Sequence, residues 1–189
     1  AQLLDIPPEQ MRGDDVEKLR RAQQEYLQAQ QANADDSSAQ LNIGLYHQAR
    51  NQLALAEDAY ARALELDPYF IGAYINLADL YRASMRDPMA ETLLNKGLEA
   101  LPEAAPLHFS LGLLKVRSKN MADALIELRR AVVLDPQNAH YRYVLAVALD
   151  SADQRDAALA LIAEGLDLTP ANQTLLTLQQ QLQNKDATQ

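Results

Sequence analysis

A period of 34 residues governs this chain. The pattern of residues 37–68 returns at 71–102, 105–136 and 139–170, and self-similarity at that spacing predicts helix-turn-helix hairpins that bury a face against their neighbours. Counting each unit from 1, position 7 is Ile43, Leu77, Leu111 and Leu145, and position 8 is Gly44, Ala78, Gly112 and Ala146. Position 20 is Ala56, Ala90, Ala124 and Ala158, and position 27 is Ala63, Gly97, Ala131 and Gly165. Two helix backbones approach closely only where side chains are this small. Glycine inside a helix costs roughly 0.5–1 kcal/mol relative to alanine, so its alternation with alanine marks a demand for low volume, not for positive φ. Position 24 (Tyr60, Leu94, Leu128, Ile162) and position 28 (Leu64, Leu98, Val132, Leu166) are expected to fill the space beside them. Each such side chain, fully buried, contributes roughly 1.5–3 kcal/mol. Proline closes every unit, at Pro68, Pro102, Pro136 and Pro170, because it cannot continue a helix.

The period divides the chain. Residues 1–13, with Pro7 and Pro8 and no helical periodicity, read as an extended lead-in. Residues 14–36 read as a helix to about Asn33, with Asp14 or Asp15 as N-cap. Its Ala22, Tyr26 and Ala29 fall at positions 20, 24 and 27 one unit upstream, so it is expected to be the second helix of a degenerate half-repeat with an open edge. Four units follow, at 37–70, 71–104, 105–138 and 139–172, with helix pairs at about 38–49 and 53–66, 71–84 and 87–100, 105–117 and 121–134, and 139–151 and 155–168. Residues 173–189 read as a capping helix and frayed tail, with Leu175, Leu176, Leu178 and Leu182 opposite a glutamine-rich face.

Composition narrows the function. A net charge of −9 argues against nucleic acid, which needs a lysine and arginine surface. No apolar run reaches the roughly 18–20 residues that span a bilayer, so no membrane insertion is expected. With no cysteine there is no disulfide, thiol nucleophile or covalent haem attachment in this stretch. The start at Ala1 reads as a domain cut from something larger or a processed form. His47, His108 and His140 lack the spacing of a helical metal pair, and the acidic pairs Asp14–Asp15 and Asp35–Asp36 lie at helix starts, where carboxylates favour the macrodipole. No phosphate loop or nucleophile elbow occurs. The expectation is a chain that is not an enzyme and holds no cofactor or metal. Lys115, Arg117, Lys119, Arg129 and Arg130 gather either as a solvated patch or as a docking site for an acidic partner.

The repeat resembles the tetratricopeptide (TPR) family, most fully in the second unit, where Tyr74, Leu77, Ala78, Tyr81, Ala90, Leu94, Gly97 and Pro102 follow its pattern. The other units depart at position 4 (Gln40, His108, Arg142) and position 11 (His47, Lys115, Leu149), where weaker packing is expected. The resemblance implies an all-α, right-handed superhelix of antiparallel helix pairs with a capping helix. It also implies that first-helix positions 2, 5, 6, 9, 12 and 13 line a concave groove. These positions place Leu41, Ile75, Phe109 and Tyr143 at 5, Leu45, Asp79, Leu113 and Val147 at 9, Asn42 and Asn76 at 6, and Arg82 at 12. So apolar a stripe suits an extended segment or amphipathic helix. The asparagine amides, which both donate and accept, suit its backbone. The cations of the family's carboxylate clamp are missing. Runs such as 42–82 and 138–159 are also similar to the C-terminal TPR modules of bacterial periplasmic multihaem cytochrome c proteins, which would imply a periplasmic address and a non-catalytic arm.

The expected function is therefore a scaffold that binds a protein or peptide partner. The alternatives are self-assembly, through the N-terminal end or a neighbour's residues 3–8 in the groove, and an arm of a larger cytochrome.

Overall fold

The computed structural model describes residues 13–186; residues 1–12 of the lead-in expected at 1–13, and the last residues 187–189, lie outside them, while Gly13 is the first residue of a helix. The described residues are all-α, with ten helices and no strand: α1 Gly13–Gln31, α2 Ser37–Gln48, α3 Leu53–Leu66, α4 Ile71–Ala83, α5 Asp87–Ala100, α6 Ala105–Arg117, α7 Met121–Leu134, α8 Ala139–Ser151, α9 Arg155–Leu168 and α10 Gln173–Asp186. Helix α1 starts one residue before Asp14, so Asp14 and Asp15 occupy its first turn rather than its cap. There they still face the positive end of the helix dipole.

One turn serves all four hairpins. Position 15 is in the left-handed region at Asn51, Met85, Lys119 and Asp153, with φ of 58°, 59°, 61° and 57°. In each case the next amide reaches back five residues: Gln52 to the His47 carbonyl (3.0 Å), Arg86 to Tyr81 (2.8 Å), Asn120 to Lys115 (2.9 Å) and Gln154 to Leu149 (2.9 Å). This is the Schellman closure of a helix end, made here without the glycine that usually supplies it. No described glycine has positive φ; the glycines serve approach instead. The second helices end alike, the amides of Asp67, Leu101, Asp135 and Thr169 donating to the carbonyls of Ala63, Gly97, Ala131 and Gly165. The proline that follows has no amide to carry the ladder on.

The described residues divide into two compact bodies, the first ending at Ala73 and the second beginning at Tyr74. In the first, α2 packs on α3 and α1 on α2. Ala56, Tyr60 and Ala63 are sealed, and a Cβ at Gly44 would stand 2.3 Å from the Tyr60 ring. Asp36 caps α2, its carboxylate accepting from the Ser38 amide at 2.8 Å.

In the second body α5 to α10 pack in succession, and α10 also touches α8. Leu94, Leu128 and Ile162 at position 24 are buried, as are Leu77, Leu111 and Leu145 at position 7. Position 28 departs from expectation. Only Val132 is buried there, while Leu98 and Leu166, and Leu64 in the first body, are half-covered. Leu175, Leu178 and Leu182 of α10 are buried too, so the last helix closes the core.

The departures from the repeat pattern do not loosen the packing as expected; most are tied down by hydrogen bonds. Arg142 is 6% exposed, donates from Nε to the Pro136 carbonyl at 3.1 Å and lies 3.6 Å from Glu164. Gly165 makes room for it, since a Cβ there would meet Arg142 Cδ at 2.8 Å. His108 sits 2.6 Å from Glu127 Oε2 and 3.1 Å from the Pro102 carbonyl. Gln40 Nε2 donates to the Ala34 carbonyl at 2.8 Å, His47 pairs with Gln52 at 2.8 Å, and Lys115 donates to Glu91 at 2.6 Å. Leu149 is simply buried.

Candidate functional site

The first helix of each pair shows one stripe that its own hairpin does not cover. A side chain at position 5 or 9 lies roughly opposite position 7, which is buried in every unit. Each of Leu41, Ile75, Phe109, Tyr143, Leu45, Asp79, Leu113 and Val147 is at least partly accessible, Leu45 being 43% and Val147 38% exposed.

Within the second body these residues fall into two hollows. One, of about 300 Å³, is lined by Ile75, Asp79 and Arg82 of α4, by Pro106, Phe109, Ser110 and Leu113 of α6, and by Tyr141 of α8. Its aromatic wall is a stacked pair, Phe109 on Tyr141, with ring centres 4.5 Å apart and planes 28° apart. His140 meets the same Phe109 edge-on at 5.3 Å. The charged wall is the ion pair of Arg82 with Asp79 at 2.9 Å, both side chains nearly half exposed. Burial, and secondarily the charge of Asp135, raises the Tyr141 hydroxyl above the ordinary tyrosine pKa. It is therefore a neutral group at pH 7.

The other hollow, of about 620 Å³, lies between α8 and α10, where Tyr143, Val147 and Asp150 face Leu178, Gln181, Leu182 and Asn184. Asp150 is held at its edge by Arg155, 2.8 Å away. Leu41, Asn42 and Leu45 belong to the first body, and the Asn42 amide already donates to Gln30 of α1 at 3.1 Å. Asn76, on α4, is half-buried.

Sequence reasoning missed Tyr141 as a lining residue, since position 3 lies in the core of the other units: Ala39, Ala73 and Leu107 are buried there. It also missed the contribution of α10, which continues the frame. Counted from Gln173, Leu178 and Gln181 stand at positions 6 and 9. The basic cluster is largely neutralised: Lys115 by Glu91, Arg117 by Asp87 at 2.9 Å, and Arg130 loosely by Glu103 at 4.0 Å. Among the described residues no group of three or more His, Cys, Asp and Glu is placed to hold a metal ion. No helix among them is long and apolar enough to cross a membrane.

Residues 37–70 match the tetratricopeptide repeat family. The human protein O-mannosyl-transferase TMTC3 is 26% identical over 179 residues, an overlap of 86% of this chain and 20% of that protein, so the chain spans about a fifth of that relative's length. The fold is similar to that of TTC0263, a thermophilic TPR protein of Thermus thermophilus, with a TM-score of 0.68 at 22% identity over 90% of this chain and 94% of that one. It is also similar to YrrB, described as a TPR protein with an unusual peptide-binding site, with a TM-score of 0.61 at 18% identity over 88% and 86% of the two chains.

Proposed function

We propose that this chain, whose residues 37–70 match the tetratricopeptide repeat and whose fold is similar to that of TPR proteins, is a scaffold holding a segment of a partner protein in the hollow of α4, α6 and α8. The observation that carries this reading is the composition of that hollow. A stacked Phe109–Tyr141 pair and the side chains of Ile75 and Leu113 offer apolar area, while Asp79 and Arg82 stand at the same opening as a paired donor and acceptor. Such a site takes an apolar side chain and fixes the polar backbone around it. Aromatic side chains in a pocket are the usual anchors of binding energy. Tyr143 and Val147 extend the surface into the hollow beside α10, and Leu41, Asn42, Leu45 and Asn76 are proposed contacts at the corresponding repeat positions. The peptide-binding site attributed to YrrB is consistent with this use of the fold.

Phe109→Ala with Leu113→Ala tests the reading. Partner binding should be lost, with helicity by circular dichroism unchanged, because both side chains are partly exposed and neither is among the sealed residues of the core. Unchanged affinity in the double variant would sink it.

A second reading, self-association, has its own observation. Ala22 and Tyr26 of α1 occupy positions 20 and 24, which are buried in all four complete units, yet both are exposed here, Tyr26 at 44%. Light scattering of the chain with and without residues 1–13, and of Tyr26→Asp, separates the readings. A monomer throughout removes self-association.

A further inference from the structure

The outer face of the second helices carries a deviation that the groove does not explain. Positions 22, 26 and 29 are exposed in all four units, and position 25 in three. Position 29 is Glu65, Glu99 and Asp167 in three units, and position 22 is Asp58, Thr92 and Ala160. In the third unit these become Val133 and Ile126, which are 67% and 63% exposed. Between them stand Arg129, where the other units have Ala61, Asn95 and Ala163, and Arg130, at a position already basic in two other units as Arg62 and Lys96.

No packing demand accounts for the exchange. The opposite face of α7 supplies its core contacts, through Ala124, Leu125, Leu128, Ala131 and Val132. An exposed valine is also a poorer helix former than the glutamate that two other units place at position 29. Ile126 and Val133 are two turns apart, roughly 10.5 Å along the axis. Both arginines lie three or four residues from each of them, on the same face.

We infer that the outer face of α7 is a second docking surface, for an acidic amphipathic helix of a partner protein. Its apolar side chains would cover Ile126 and Val133, and its carboxylates would pair with Arg129 and Arg130. Charge complementarity selects that occupant. The protein carries a net charge of −9, and the same outer positions hold Asp58, Arg62 and Glu65 on α3, Lys96 and Glu99 on α5 and Glu164 and Asp167 on α9, whereas on α7 they hold only Arg129 and Arg130, the latter loosely held 4.0 Å from the exposed Glu103. This local positive charge discriminates against basic segments and favours acidic ones. A guanidinium also binds carboxylate in a two-pronged geometry that an ammonium cannot match. An anionic bilayer is the weaker match, because two cations at roughly 1 kcal/mol each do not hold a chain of this net charge at a membrane.

The probe is a fluorescein-labelled alanine-based helical peptide with leucines seven residues apart and glutamates at the third and fourth positions between them, read by anisotropy in about 50 mM salt. Saturable binding is expected, weakened at least about tenfold by Ile126→Asp with Val133→Glu, and likewise by Arg129→Ala with Arg130→Ala. Phe109→Ala with Leu113→Ala should leave it unchanged. The first pair restores acids that the first unit tolerates, so circular dichroism should stay native.

Several results overturn the inference. One is no saturation by about 1 mM peptide. Another is equal binding of a peptide with lysine for glutamate. A third is loss of binding in the Phe109→Ala, Leu113→Ala variant, which assigns the peptide to the groove. Co-sedimentation with phosphatidylserine vesicles that depends on Arg129 and Arg130 points to a membrane instead. A dimer abolished by Ile126→Asp with Val133→Glu points to a second copy.

Discussion

At the scale of single residues, the fold is set by volumes matched across each hairpin. Gly44 faces the largest of the position-24 residues, Tyr60, which is sealed and donates its hydroxyl to Gln48 at 2.6 Å, so the ring cannot yield. Gly44→Ala would gain roughly 0.5–1 kcal/mol of helix propensity. Overpacking costs typically 1–3 kcal/mol, and with a Cβ 2.3 Å from the ring that term wins. The variant should lose roughly 1–2 kcal/mol in urea denaturation. Tyr60→Leu should relieve much of that loss, as the Ala78 and Leu94 pair of the second unit already shows two such residues coexisting. The hairpin turn offers the converse case. Met85 holds φ 59° without help from its side chain type, whereas Asn51 at φ 58° tolerates that region. Met85→Gly should therefore raise the urea midpoint by about 1 kcal/mol equivalent, and Asn51→Gly should change it little. The volume pattern was legible in the sequence because the repeat aligns the chain with itself. The turn was not, since Asn, Met, Lys and Asp share no side-chain chemistry; it is the hydrogen-bond geometry that repeats.

At the scale of elements, the informative helices are those that break the pattern. Helix α10 lacks the large and small pair at positions 7 and 8, having Gln179 and Gln180 instead. No described helix follows to pack on that face. It keeps positions 3 and 10, Leu175 and Leu182, because those face back into the core with α8 and α9. Leu175→Ala should cost about 2–5 kcal/mol, a large share of a small domain's stability, with the loss read as a lowered Tm. Near-wild-type Tm would mean that α10 is an ornament and not part of the core. The tied-down departures at positions 4 and 11 make the same point. From the sequence Arg142 reads as a weakened contact, and only the glycine 23 residues later, together with the Pro136 carbonyl, makes it a buried one.

At the scale of the whole molecule, α1 to α3 in the first body and α5 to α10 in the second contact mainly their neighbours in the chain, which favours stability built from local terms. Helix α1 packs on α2 and is largely exposed, while α7 buries five residues. In hydrogen exchange read by mass spectrometry, α1 amides should exchange at least about 100-fold faster than those of α7, a difference of about 2.7 kcal/mol in opening free energy. Equal protection would mean that the chain opens as a single unit, or that another copy covers α1.

Taken by itself, the sequence determined the period, the helices and the positions that must be small, because steric demands between adjacent hairpins recur at fixed intervals and leave a written trace. Tertiary structure alone decided which side chains share a hollow: Tyr141 joins Phe109, and Tyr143 and Val147 part from it to join α10. Side chains from different units meet according to how the helices pack against each other, and no single residue type encodes that packing.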